Sequence, residues 1–115
     1  MRRHTLQLTQ SEQEWLNAYR EALGVQYSGT VEEMLIYGSK ARGDAGPDSD
    51  LDVLLIVKDR AGRRKRALRR VGYLLAAATD VVPSIMAYTR GEWEQRKQNG
   101  SPFRRAVERD GVRVL

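Results

Sequence analysis

Tyr37-Gly38-Ser39-Lys40-Ala41-Arg42-Gly43-Asp44-Ala45-Gly46-Pro47-Asp48-Ser49-Asp50-Leu51-Asp52-Val53-Leu54-Leu55-Ile56-Val57 is the stretch from which the chain can be read. A Gly-Ser turn opens it, and an Asp-x-Asp pair stands at the mouth of an apolar run. Apart from Asp52, Leu51–Val57 is entirely β-branched residues and leucine, the pattern of a central strand covered on both faces. Just upstream, Met34-Leu35-Ile36-Tyr37 reads as a second buried strand, within a predicted strand Val31–Tyr37. Residues 43–48 gather Gly, Asp and Pro, which is turn chemistry. Two neighbouring buried strands joined by such a loop predict a mixed sheet with helices packed on it.

The carboxylates carry the chemistry. Side chains two apart on a strand share a face and lie about 6.7 Å apart along it, so Asp50 and Asp52 point the same way. Two unpaired carboxylates on one face repel and are costly to desolvate, and a divalent cation removes both penalties. One or two Mg²⁺ ions there could hold a nucleoside triphosphate and activate an attacking hydroxyl. Alternatively, Asp50 only ends the turn and Asp52 pairs with an arginine. Gly38 can take positive φ and let the backbone approach an anion. Ser39 offers a hydroxyl and an N–H; if residues 39–42 begin a helical turn, its free amides form an anion site, with Lys40 and Arg42 adding charge. The Walker A spacing is absent.

Gly38-Ser39-Lys40-Ala41-Arg42-Gly43 followed by Ser49-Asp50-Leu51-Asp52-Val53 closely resembles the signature of the polymerase-β-like nucleotidyltransferase superfamily. The chain length resembles its small stand-alone branch, the minimal nucleotidyltransferases, which carry Gly-Ser-x-Ala-Arg-Gly, a variable turn, then Ser-Asp-x-Asp-Leu. Val53 replaces the final Leu. The resemblance implies an α/β (α+β) fold with a central mixed sheet and helices packed mainly on one face. It also implies transfer of a nucleoside monophosphate, with AMP from ATP the leading expectation over another NTP, to an acceptor hydroxyl with Mg²⁺ or Mn²⁺. Gly38 and Ser39 would contact the triphosphate, and Asp50 and Asp52 would hold the metal. Arg42 joins the candidate binding set, although steadying the loop or pairing with a carboxylate suits it better. Lys40, at a variable family position, is expected in solvent. Many such proteins are antitoxins that adenylylate a tyrosine on a helical HEPN-type toxin, which makes such a toxin the expected partner.

The family mechanism uses a third carboxylate on a later strand. The acidic candidate is Asp80, in Thr79-Asp80-Val81-Val82-Pro83-Ser84-Ile85. In the family that strand ends in Ser/Thr before an acidic helix; here the ending is Tyr88-Thr89-Arg90-Gly91-Glu92. Counting back from Thr89 puts the family position at Ser84, with Asp80 about 13 Å further along a regular strand. A bulge at Pro83 would shorten that offset. The expectation is a missing third carboxylate, which leaves either a slow enzyme or a non-catalytic module that binds nucleotide or masks a partner.

The remaining sequence is read as one domain over residues 1–115. A hydrophobic fraction of 41% is enough for a core, and no stretch is long and apolar enough to span a bilayer. The start, Met1-Arg2-Arg3-His4-Thr5, lacks a signal-like apolar run, and there is no cysteine, so a cytoplasmic location is expected. His4, the single histidine, excludes a multi-histidine cage and leaves oxygen ligands. The net charge of +5 would attract polyanions, but there is no helix-turn-helix or RNP motif, so nucleic-acid binding through the arginine-rich run 60–70 is the third reading. Helices are predicted over residues 9–23, closed by Gly24, over 60–78 with Leu68, Val71, Leu74, Leu75 and Ala78 inward, from Gly91 to about Gln98, and over 103–109. Strands are predicted over 81–88, at a sheet edge because of Pro83, and over 112–115. Trp15, Tyr19, Trp93 and Phe103 are expected in the core or an interface, and oligomerisation is left open.

Overall fold

The computed structural model describes residues 6–115, so His4 lies outside the described residues. The apolar run forms the central strand β2 (Leu51–Val57), antiparallel to β1 (Val31–Tyr37) and parallel to β3 (Pro83–Thr89). A short β4 (Val112–Arg113) pairs antiparallel with the far side of β1, giving the order β3-β2-β1-β4. The sheet is mixed, as expected. Pro83 opens β3 at the sheet edge, where its missing N–H costs no ladder bond.

Helices α1 (Gln10–Gln26) and α3 (Lys65–Ala76) cover one face. Trp15, Leu16, Tyr19 and Leu23 of α1 pack with Met34, Ile36, Leu51, Val53, Leu55, Val57 and Ile85 from the sheet. Thr9 and Glu12 form the α1 capping box, satisfying two orphan amides reciprocally. The helix runs past Gly24, which lies in open space, and ends at Tyr27 before Gly29 turns the chain at φ 72°. Gly24 is therefore interior to the helix and does not close it.

The predicted helix over 60–78 is two elements, a 3₁₀ turn over Asp59–Arg64 and α3. Its buried line is Leu68, Gly72 and Ala76, whereas Leu74 is 61% exposed. Two hydrogen bonds choose that line. Trp15 Nε1 donates to the Gly72 carbonyl at 2.9 Å, and the Tyr19 hydroxyl donates to the Leu68 carbonyl at 2.7 Å. A side chain at Gly72 would collide with Ile85 and the Tyr19 ring, so glycine sets how closely α1, α3 and β3 approach.

Helices α4 (Arg90–Gln98) and α5 (Pro102–Asp110) lie on the opposite face. Trp93 and Val107 bury Leu54 and Ile56 there, with Tyr37, Tyr88 and Phe103 around them. Thr89 and Glu92 form the capping box of α4. Strand alternation puts Asp52 on this second face with Leu54 and Ile56, where it is only partly buried. Among the described residues no helix is long and apolar enough to cross a membrane.

Candidate active site

The site assembles where β1 ends and β2 begins. Tyr37 lies opposite Asp52 in the antiparallel register. The chain leaves β1 through Gly38, at φ 72° and ψ −155°, and enters the single helical turn α2 (Ser39–Arg42). Gly43, in the left-handed region at φ 81°, closes that turn. The Gly38 carbonyl accepts from the Ala41 and Arg42 amides, which leaves the Ser39 and Lys40 amides at the head of the turn. Gly38 is required twice. Its φ favours glycine, and a Cβ would overlap the Asp52 carboxylate. The Gly-Ser turn and the Asp-x-Asp strand thus meet atom against atom, across thirteen intervening positions of loop and turn that the sequence could only bracket.

Asp50 is exposed just before β2, and Asp52 is half-buried within it. Burial raises the Asp52 pKa above the ordinary carboxylate value, the Asp50 charge raises it further, and Arg42 partly offsets both. The same carboxylate acts on Tyr37, whose pKa is pushed up to about 12, by burial first and then by Asp52, Tyr88 and Tyr73. Two hard oxygen donors under mutual repulsion suit a divalent cation such as Mg²⁺. Among the described residues no group of three His, Cys, Asp or Glu side chains could hold a metal, so Asp50 and Asp52 stand as a pair of carboxylates without a third beside them.

The position beside Asp52 on the parallel neighbour is Ser84, directly in register. Its hydroxyl shares the Asp52 face, one inter-strand spacing of about 4.8 Å away. Asp80 lies in the turn before β3, because the strand starts only at Pro83. There it lines a separate polar cleft of about 260 Å³ with Thr9, Glu12, Lys40, Asp48 and Ser49.

Arg42 bridges the turn to other carboxylates. Its Nε is 3.1 Å from Asp44 and its Nη1 is 4.0 Å from the buried Asp110 at the end of α5. Lys40 is not in solvent. It is buried, with Nζ 3.0 Å from Glu12 Oε1, and that carboxylate oxygen also accepts from the Thr9 amide. The Glu12–Lys40 pair fastens α2 to the first turn of α1. Sequence reasoning missed both Lys40 and Asp110. Glu12 serves the α1 cap, and nothing in the sequence spacing signals that it also receives a lysine 28 residues away.

A mixed sheet with a Gly-Ser turn set against an Asp-x-Asp strand defines a nucleotidyltransferase-type site. Residues 16–109 match the family described as nucleotidyltransferase domain, and the chain belongs to that family. A candidate protein adenylyltransferase of Methanocaldococcus jannaschii is 33% identical over 46 residues, which cover 40% of this chain and 46% of that relative. The match thus spans just under half of the relative's length. The crystal structure of a candidate nucleotidyltransferase from Sulfolobus solfataricus superposes with a TM-score of 0.55 at 22% identity, covering 89% of this chain and 78% of that one, a likeness of fold.

Proposed function

We propose that this protein transfers a nucleoside monophosphate, AMP from ATP in the leading reading, to a hydroxyl on a partner protein in the cytoplasm. The observation that carries the reading is the contact between Gly38 and the Asp52 carboxylate, which sets the Gly-Ser turn against the charged end of β2. The Ser39 and Lys40 amides and the Ser39 hydroxyl would meet the triphosphate. Asp50 and Asp52 would hold Mg²⁺ or Mn²⁺. When bound, that ion neutralises phosphate charge and polarises the reacting oxygens. The acceptor oxygen attacks the α-phosphorus, the bond to the β-phosphate breaks, pyrophosphate leaves and the acceptor proton is lost to solvent. Arg42 holds the turn through Asp44 and Asp110 and tempers the charge at Asp52. The resemblance to minimal nucleotidyltransferases makes a HEPN-type toxin the first acceptor to test.

Ser84 supports a second reading. A hydroxyl in register with Asp52 supplies neither charge nor a base near neutral pH, so the domain could bind nucleotide or mask a partner with little chemistry. Incubation with labelled ATP, Mg²⁺ and candidate acceptors separates the two. Label on the acceptor that Asp50→Asn abolishes supports transfer, and no label from either protein rejects it. Ser84→Asp tests the same point from the other side. It places a third carboxylate in register with Asp52 and is expected to raise the transfer rate about a hundredfold or more, the span usual for one positioned acid–base group.

A further inference from the structure

Helix α3 has a second stripe besides the buried one. Arg66, Arg69, Arg70, Tyr73 and Leu74 line a groove of about 390 Å³. Their spacing is i, i+3, i+4, i+7 and i+8, a continuous line along one side of a helix. Among the described residues, Arg66, Arg69 and Arg70 join no ion pair, whereas the neighbouring Lys65 is neutralised by Glu92 at 2.9 Å. At the other end of the stripe Tyr73 is 44% exposed and Leu74 61%. The Tyr73 hydroxyl accepts the Ile85 amide at 2.9 Å, which fastens the aromatic wall to the strand residue after Ser84. The groove therefore borders the sheet edge beside the candidate active site.

We propose that this stripe is the docking face for an acidic amphipathic helix of a partner protein. The spacing is the ridge that a second helix packs against. Three unpaired guanidinium groups call for carboxylates, and the Tyr73–Leu74 end calls for apolar side chains. Arginine and tyrosine beside an apolar residue are also the composition of protein-interface anchors. A nucleic-acid backbone would use the arginines but would set phosphate and sugar against Leu74. Docking does not depend on chemistry at Asp50 and Asp52. Only the idea that the docked partner presents its hydroxyl there rests on the proposed transferase function.

The test uses three fluorescent probes at physiological salt. They are a designed helix of about three heptads with Leu and Glu on one face, a scramble of the same composition, and a single-stranded RNA of matching length. The amphipathic peptide is expected to bind at least about tenfold tighter than either control, a difference of about 1.4 kcal/mol. Arg66→Glu with Arg70→Glu should weaken it at least about tenfold, and so should Leu74→Glu, which alters an exposed side chain and leaves the core alone. Asp50→Asn with Asp52→Asn should bind the peptide like wild type even while labelled transfer is lost, so failure of docking and failure of transfer read out separately. Equal binding of the scramble, tighter binding of the RNA, or no binding of the peptide overturns the proposal.

Discussion

The two faces of the sheet are built to opposite ends. Under α1 and α3, Met34, Ile36, Val53, Leu55 and Val57 are sealed, and the polar atoms of Trp15 and Tyr19 are paired with backbone carbonyls. On the other face, under α4 and α5, Asp52 is half-buried against Gly38 and repelled by Asp50. The polar side chains buried on the first face are paired, whereas on the second Asp52 carries a charge that Asp50 repels and Arg42 only partly offsets, which a bound cation would relieve. Stability and the proposed chemistry thus fall on opposite faces of one sheet, and variants should separate them.

The largest effect is expected where the two regions are tied together. Lys40→Met leaves Glu12 buried without its cation and should cost about 3–5 kcal/mol in denaturant unfolding. Adding Glu12→Gln should recover part of that loss, because the uncompensated charge goes; a double variant no better than Lys40→Met alone would show that the pair is not coupled. Next comes Gly38→Ala, which breaks the open face. The added methyl must displace the Asp52 carboxylate, and a displacement of this kind costs about a hundredfold in transfer rate. Gly72→Ala is the matching change on the sealed face. Overpacking against Ile85 and Tyr19 costs about 1–3 kcal/mol, against about 1 kcal/mol of helix propensity gained, so the melting temperature should fall modestly with transfer unchanged. If Gly72→Ala reduces transfer more than Gly38→Ala does, the division of labour between the faces is wrong.

Much of this was legible because the signals are local. The run Leu51–Val57, the Thr89–Glu92 cap and the Gly38-Ser39 turn each need only neighbours in sequence to be recognised. What escaped depends on partners distant along the chain. The inward line of α3 passes through Gly72, which hydrophobic periodicity cannot count, and is fixed by hydrogen bonds from α1 more than 45 residues away. Leu74 and Leu75 looked like core and instead lie on an outer side of the helix. Lys40 looked like a surface residue because its partner sits in the cap of another helix. Counting back from Thr89 reaches Ser84, and because β3 runs in unbroken register from Pro83 to Thr89 that residue stands beside Asp52. Asp80 could be placed only as an offset along an assumed strand, and the strand does not extend that far.

The smallest effect probes the open face with no ligand present. Burial and Asp50 together raise the Asp52 pKa in the folded state. A carboxyl that holds its proton more tightly when folded adds stability at low pH. That contribution is complete below the unfolded value of 3.8 and is lost as pH rises through the raised folded value. Asp52→Asn carries no such titration. The melting temperature of wild type relative to Asp52→Asn should therefore decline as pH climbs through the mildly acidic range, with the variant at least as stable at neutral pH. Adding Mg²⁺ and a non-hydrolysable ATP analogue at neutral pH should reverse the order, because a ligand that needs the ionised carboxylate stabilises only wild type. A flat difference across pH would mean that Asp52 is already compensated, by Arg42 or otherwise, and the open face would lose the charge imbalance that marks it as a binding site.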